Sequence, residues 1–239
     1  MVLGSISHPP QPLVSIRRGI AWGLAPRSED SSVLVLTSPN RYYVDIRFAL
    51  EGEPTAGPFW AFGGRVTYTR LPGVEKDQGV GIRGEWAHPI DSMGNTEGVD
   101  QADLFTLDNG DQIEVGLLEN PATGKEDRFM EFWTKPSTTN ASIDGTNERT
   151  CTVAILEERS KLVGIAIRVG DYAQGIKQIS GAESGVLTSR WTRDSGQWQK
   201  DAKGNAEEDD IPMQWLLDNR NLHDVKSGAE RWNIVELVI

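Results

Sequence analysis

The sequence predicts an all-β protein built from antiparallel hairpins. The clearest support is the segment from Asp108 to Trp133, which contains two turns and the strands that flank them. Asp108-Asn109-Gly110-Asp111 is typical of a tight hairpin turn, because Asn-Gly tolerates the positive φ angles of a two-residue loop. The strand that follows alternates apolar and polar residues, and no helical apolar period persists for long anywhere in the chain.

The first part of the chain is expected to contain about eight strands, the number at which an up-and-down barrel closes around one small ligand. Segments rich in Pro, Gly, Asn and Ser separate these strands and are typical of turns. We assign this barrel to residues 13–136. The expected strands are 15–22, 32–37, 42–50, 59–69, 80–88, 102–107, 112–118 and 128–133.

A polar, breaker-rich segment over residues 135–149 is interpreted as a linker to a second set of strands. We assign a smaller C-terminal unit to residues 148–239, with one short helix at 211–219. The acidic run within residues 201–210 is expected to be a solvated loop and not a metal site. The expected strands of this unit are 152–156, 163–169, 172–178, 185–193, 197–200 and 232–238.

Composition excludes several classes of function. The chain has 239 residues and a formal net charge of −11, which argues against nucleic acid and against an anionic membrane surface as partners. Its single cysteine, Cys151, leaves no internal disulfide and is expected to be a small buried strand residue. No apolar run is typical of a signal peptide or a membrane span, so a cytoplasmic protein without membrane insertion is expected.

Motifs for cofactors and catalysis are weak. Residues 79–84 match G-x-G-x-x-G, but the residues that follow predict a strand, whereas the dinucleotide fingerprint must open a helix. The three histidines lie far apart in sequence and do not have metal-ligand spacing. His88 is the only plausible base for a nucleophilic triad, so a hydrolase has no support. We therefore expect no cofactor and no metal.

Aromatic and polar residues recur on single strand faces. Tyr43, Asp45 and Arg47 share one face of their strand, and Trp86 shares a face with His88. Two interpretations stay open. These residues either fill the barrel core and form a surface ion pair, or they line a cavity with aromatic walls and a few hydrogen-bond donors. His88 is likewise either a structural residue or a proton carrier.

Several segments resemble a family of fungal proteins named for a yeast protein that interacts with a casein-kinase-type enzyme. The resemblance runs in order from about residue 15 to the final strand, and it implies two lipocalin-like β-barrels in tandem. The segments that carry it are Leu34-Val35-Leu36-Thr37-Ser38-Pro39, Tyr43-Val44-Asp45-Ile46-Arg47, Trp60-Ala61-Phe62-Gly63-Gly64, Trp86-Ala87-His88-Pro89-Ile90-Asp91-Ser92, Leu107-Asp108-Asn109-Gly110-Asp111, Asn120-Pro121-Ala122-Thr123-Gly124, Glu131-Phe132-Trp133 and Val169-Gly170-Asp171-Tyr172-Ala173-Gln174-Gly175.

The chain is also similar to relatives that act in fungal secondary metabolism as hetero-Diels–Alderases. That similarity implies a cofactor-free pericyclase that joins an o-quinone methide to a terpene alkene in a tropolone-sesquiterpenoid pathway. Such chemistry needs positioned partners, exclusion of water and a donor at the carbonyl oxygen. The candidate catalytic donors are Arg47, Tyr68, His88 and Arg128, and the candidate substrate-binding residues are Trp22, Tyr43, Trp60, Phe62, Trp86 and Trp133.

Two hypotheses from different classes remain. The first is a cofactor-free cyclase whose substrates are small apolar molecules. The second is a module without enzymatic activity, either a lipocalin-like carrier of a small molecule or a partner of a kinase. The oligomeric state is left open, a homo-oligomer included.

Overall fold

The computed structural model describes residues 11–51, 58–72, 81–136, 150–179, 185–218, 224–227 and 230–238. Within these residues the chain forms fifteen β-strands and one helix of six residues, so the predicted all-β class is confirmed. The first eight strands form a closed barrel. They are β1 (Leu13–Trp22), β2 (Ser31–Thr37), β3 (Tyr42–Ala49), β4 (Trp60–Arg70), β5 (Gly81–Asp91), β6 (Val99–Thr106), β7 (Gln112–Asn120) and β8 (Lys125–Thr134).

Every neighbouring pair in the barrel is antiparallel, and β1 closes the ring by pairing with β8. Observed and predicted strand ends agree to within three residues. Strands β7 and β8 run longer than predicted because their pairing continues to Asn120 and Lys125, directly at the turn. The predicted linker falls mostly on residues 137–149, which lie outside the described part of the chain.

The remaining strands form a single seven-stranded sheet. Its members are β9 (Cys151–Glu158), β10 (Lys161–Val169), β11 (Tyr172–Gln178), β12 (Val186–Asp194), β13 (Gln197–Lys200), β14 (Asp224–Ser227) and β15 (Glu230–Val238), and the helix is α1 (Met213–Asp218). The order is β13-β12-β11-β10-β9-β15-β14. A second closed barrel was expected, but in the described residues the edge strands β13 and β14 do not pair with each other. Strand β14 was not predicted.

One face of this sheet packs against the outside of the barrel. Val44, Ile46 and Phe48 of β3 are fully buried in one cluster with residues of β9, β10 and β11. Gly63 of β4 permits the close approach, because a Cβ atom there would lie 3.1 Å from Cγ2 of Ile176. The alternation of β3 therefore directs its odd-numbered residues into the barrel.

The opposite face of the sheet is also covered. Helix α1 and Trp232 of β15 bury Ala154 and Ala166 on that side. Strand β9 is accordingly buried at six consecutive positions, from Cys151 to Leu156, instead of at alternate ones. The expected burial of Cys151 is confirmed, and burial raises the pKa of its thiol, which makes the group unreactive.

A buried polar contact joins the sheet to the barrel. Gln174 Nε2 donates to the main-chain oxygens of Leu34 (2.9 Å) and Val44 (3.1 Å). Arg190 Nε donates to Gln174 Oε1 at 3.0 Å, and its Nη2 donates to the main-chain oxygen of Ile46. Burial lowers the pKa of Arg190 to about 10, so the guanidinium stays charged at neutral pH. These bonds satisfy polar groups at a dry interface and fix the sheet to β2 and β3.

Candidate functional site

The barrel encloses a cavity of about 440 Å³, within the usual size range of small-molecule sites. All eight strands contribute side chains to its lining. The lining is aromatic on the β4–β5 side and carries charged side chains on β3, β7 and β8. Its principal residues are Tyr43, Asp45, Arg47, Trp60, Phe62, Tyr68, Trp86, Asp100, Glu114, Phe129, Glu131 and Trp133, with Ser15 and Leu13 from β1.

Four rings on β4 and β5 form the aromatic wall. The centroids of Trp60 and Phe62 are 4.5 Å apart, and Tyr68 meets Trp86 edge-on at 6.2 Å. Gly84 makes room for the last of these, since a Cβ atom there would lie 2.2 Å from the Trp86 ring. This glycine belongs to the G-x-G-x-x-G match, whose first residues, 79 and 80, lie outside the described residues; within β5 it serves ring packing.

Next to this wall lies the interior ion cluster, which we define as Arg17, Asp45, Arg47, Glu114 and Glu131. Arg47 Nη2 is 2.9 Å from Asp45 Oδ2, and its Nη1 is 3.6 Å from Glu131 Oε1. Arg17 Nη1 donates to the same Glu131 oxygen at 2.5 Å. Burial alone would lower the pKa of Arg47, but the carboxylates of Asp45 and Glu131 outweigh it and raise that pKa above its ordinary value.

Arg47 connects the two halves of the cavity. Its guanidinium carbon lies 4.6 Å from the ring centroid of Trp60 and 5.4 Å from that of Phe62. A guanidinium over an aromatic face is attracted by the ring quadrupole. The same side chain is held from the other side by Asp45. Its position is therefore fixed before any ligand enters.

The cavity lining includes charged and aromatic residues that were not among the candidates predicted from the sequence, among them Phe129, Glu131 and Glu114. Strand β7 alternates Ile113, Val115 and Leu117 with Gln112 and Glu114, and the apolar set would ordinarily face the core. In this barrel the polar set faces the cavity, while Leu117 is exposed. The signal available in the sequence was the alternation of β3, in which Val44, Ile46 and Phe48 form an apolar face and leave Asp45 and Arg47 on the other.

A second buried charge site adjoins the cavity. His88 Nδ1 lies 3.0 Å from Asp91 Oδ2, and His88 Nε2 lies 3.6 Å from Asp100 Oδ1. These are ion-pair distances without hydrogen-bond alignment, since neither ring nitrogen has a hydrogen-bond partner among the described residues. Burial would lower the pKa of His88, but the two carboxylates raise it to about 9. His88 is therefore an imidazolium behind Phe62, and only Asp100 of this group lines the cavity.

Most of the candidate residues meet in this one cavity. Those that line it are Arg47, Tyr68, Tyr43, Trp60, Phe62, Trp86 and Trp133. His88 lies one layer behind the lining, and Trp22 packs on Phe129 at 6.1 Å without lining the cavity. Arg128 was predicted to be a catalytic donor of the cavity, and this prediction is wrong. Its side chain is exposed, because Phe129 takes the inward position of β8.

Two kinds of feature are absent from the described residues. None of the helices there is long and apolar enough to cross a membrane. Across the same residues, no three His, Cys, Asp or Glu side chains are grouped so that they could hold a metal ion. That purified protein carries no metal or other cofactor stays a prediction.

Comparisons with known proteins agree with this fold. The family model described as Protein HRI1 matches residues 13–236. The crystal structure of an uncharacterized protein from Saccharomyces cerevisiae is similar, with a TM-score of 0.75 and 18% sequence identity over 96% of this chain and 100% of that one. A search of curated proteins found no match. At that identity the structural likeness shows the fold alone, and the expected Diels–Alderase relationship stays a prediction.

The charge on His88 predicts how stability depends on pH. Because the folded-state pKa of about 9 exceeds the ordinary 6.5, this contribution to stability is complete below pH 6.5 and is lost as pH rises through 9. Urea unfolding between pH 6 and pH 10 should show this fall in the wild type. In Asp100→Asn the fall should move to lower pH, and in His88→Gln this component should disappear. Identical pH profiles for wild type and His88→Gln would contradict the assignment.

Proposed function

This chain belongs to the HRI1 protein family, and we propose that its barrel is a binding site for a small, largely apolar molecule. The observation that carries this proposal is the cavity of about 440 Å³ inside the barrel, with aromatic side chains on one side and oriented charges on the other. Sites for small molecules typically combine a mostly apolar lining with a few precisely placed polar groups. The residues above supply both.

The interior ion cluster also supports this proposal, because burying its charges is unfavourable for folding. The side chains of Arg17, Asp45 and Glu131 are only 4%, 5% and 5% exposed. Removing ions from water costs several kcal/mol each, and an apolar filling of the same volume is often at least as stable. Buried charges with perturbed pKa values are concentrated at functional sites. A role in ligand binding therefore explains the cluster better than a contribution to folding stability does.

We propose, as a second candidate, that the bound molecule is also transformed, by a cofactor-free cyclase activity of the hetero-Diels–Alder type. The specific support is a set of fixed donors beside an aromatic wall. Arg47 is held in place by Asp45, and burial raises the pKa of Tyr68 to about 12, so its phenol stays protonated as a donor. A donor at the carbonyl of an o-quinone methide would stabilise the charge that grows there as a terpene alkene adds.

The binding proposal predicts that removal of one ring from the aromatic wall weakens the binding of a neutral apolar probe. N-phenyl-1-naphthylamine should bind with increased fluorescence, and Trp60→Ala should raise its Kd about 10-fold, because a buried ring face is lost. Trp198→Ala is the matched control, since Trp198 packs on the second unit and not in the cavity. Equal effects of the two substitutions, or a wild type that does not bind the probe, would contradict the proposal.

The cyclase proposal predicts a change in product stereochemistry. With an o-quinone methide generated in solution and a humulene-type alkene, the wild type should give one isomer where the uncatalysed reaction gives a mixture. Arg47→Lys and Tyr68→Phe should each lower the rate, by up to ~10²-fold for the true donor, and return the mixture. An unchanged isomer ratio with folded wild-type protein that still binds the probe would leave a carrier as the function.

A further inference from the structure

Glu114 and Glu131 form an unusual pair inside the barrel. They are directly opposite each other in the antiparallel pairing of β7 with β8, and both line the cavity. Side chains at such positions have Cβ atoms only about 4.5–5.5 Å apart, and like charges there are destabilising. The pair therefore needs either two counter-ions or one proton.

The arginines of the cluster are distributed unequally between the two carboxyl groups. Glu131 receives Arg17 at 2.5 Å and Arg47 at 3.6 Å. The other nitrogens of Arg47 are held by Asp45. Within the described part of the chain, Glu114 has no ion pair with a cation at salt-bridge distance. The arginines thus balance the charge of Glu131, and Glu114 is the member that a proton would have to neutralise.

The charges around Glu114 support this assignment. Burial first, and then the charges of Glu131 and Asp45, raise the pKa of Glu114 well above the ordinary carboxyl value, and Arg47 only partly offsets them. Across the cavity Tyr68 is neutral, and from β6 the directly paired residue is the apolar Leu104. Arg41 and Arg70 also line the cavity, but among the described residues neither forms an ion pair with Glu114.

Two further donors face the same space without a partner. Trp133 is only 7% exposed and lines the cavity, and its Nε1 has no hydrogen-bond acceptor among the described residues. It lies near enough to Glu114 to favour the charged form of that carboxyl but is not aligned for a hydrogen bond. Trp60 Nε1 is likewise buried without an acceptor. Buried donors of this kind are costly unless something supplies an acceptor.

We propose that Glu114 is the hydrogen-bond donor of this cavity in its neutral acid form, and that the ligand presents a neutral carbonyl oxygen to it. This inference rests on the proposed binding function. A carboxylate ligand would find Arg17 and Arg47 already engaged by Glu131 and Asp45. An organic cation would find the ring faces of Trp60 and Phe62 already covered by Arg47.

Four probes with one ring system separate the alternatives. They are 2-ethylnaphthalene, 2-acetylnaphthalene, 2-naphthoate and 2-naphthylmethylamine, each titrated to displace N-phenyl-1-naphthylamine from the full chain. At pH 6 the ketone should bind up to about 10-fold more tightly than the ethyl compound, the range for one added hydrogen bond. This preference should decline as the pH rises through the pKa of Glu114.

Substitutions of Glu114 test whether this residue causes the preference for the ketone. Glu114→Gln keeps a donor of the same shape, so it should keep the ketone preference and remove its pH dependence. Glu114→Leu should abolish the preference. Glu119→Gln is the matched control, the same change at an exposed position of the same strand, and it should behave as the wild type. Far-UV circular dichroism and thermal unfolding would establish that each variant is folded.

Other outcomes overturn the inference in distinguishable ways. Tightest binding of the amine would make this a cation site, and tightest binding of the naphthoate an anion site. Equal binding of the ketone and the ethyl compound, or a pH profile that Glu114→Gln leaves unchanged, would remove the donor role while the binding function stands. If none of the four displaces the reporter, or if the reporter itself does not bind, the proposed function fails as well.

Discussion

The packing of the sheet on the outside of the barrel determines what the inside of the barrel contains. Val44, Ile46 and Phe48 are fully buried against that sheet. Because successive side chains of a strand point to opposite faces, Asp45 and Arg47 must enter the lumen. The buried contact through Arg190 and Gln174 holds this register, since a slip of one residue would put the charges into the dry interface. The polar lumen is thus a consequence of the apolar exterior.

The positions of the barrel strands follow from the sequence, because turn residues mark nearly every end and the alternation of β3 separates its two faces. The open second sheet was harder to predict. Its signal was the run of consecutive apolar residues in β9, which indicates burial on both faces and hence a layer between two others. In β8 the alternation that puts Trp133 inside also puts Phe129 inside and Arg128 outside. Arg128 was placed wrongly because it has the opposite parity to Trp133, and Phe129 was missed for the same reason.

The charged groups of the cavity distinguish it from a simple packing defect. Arg17 and Arg47 both form ion pairs with Glu131. Its neighbour Glu114 has no such pair in the described residues, and we propose that it holds a proton. An acid that stays neutral is a strong donor in a place of low polarity, where a hydrogen bond gains strength and an unpaired group is costly. The aromatic wall supplies apolar contact area for a ligand, and the interior ion cluster supplies the polar groups that would orient it. Both the binding and the cyclase proposals depend on this combination.

The central claim is that the ligand enters the barrel, and the indole N–H signals of the eight tryptophans test it most directly. In protein labelled with ¹⁵N at tryptophan, titration with N-phenyl-1-naphthylamine should shift the signals of the cavity residues Trp60, Trp86 and Trp133 to saturation. The signals from the second unit should stay in place. Saturable shifts confined to that second set, which comprises Trp191, Trp198, Trp215 and Trp232, would contradict the account.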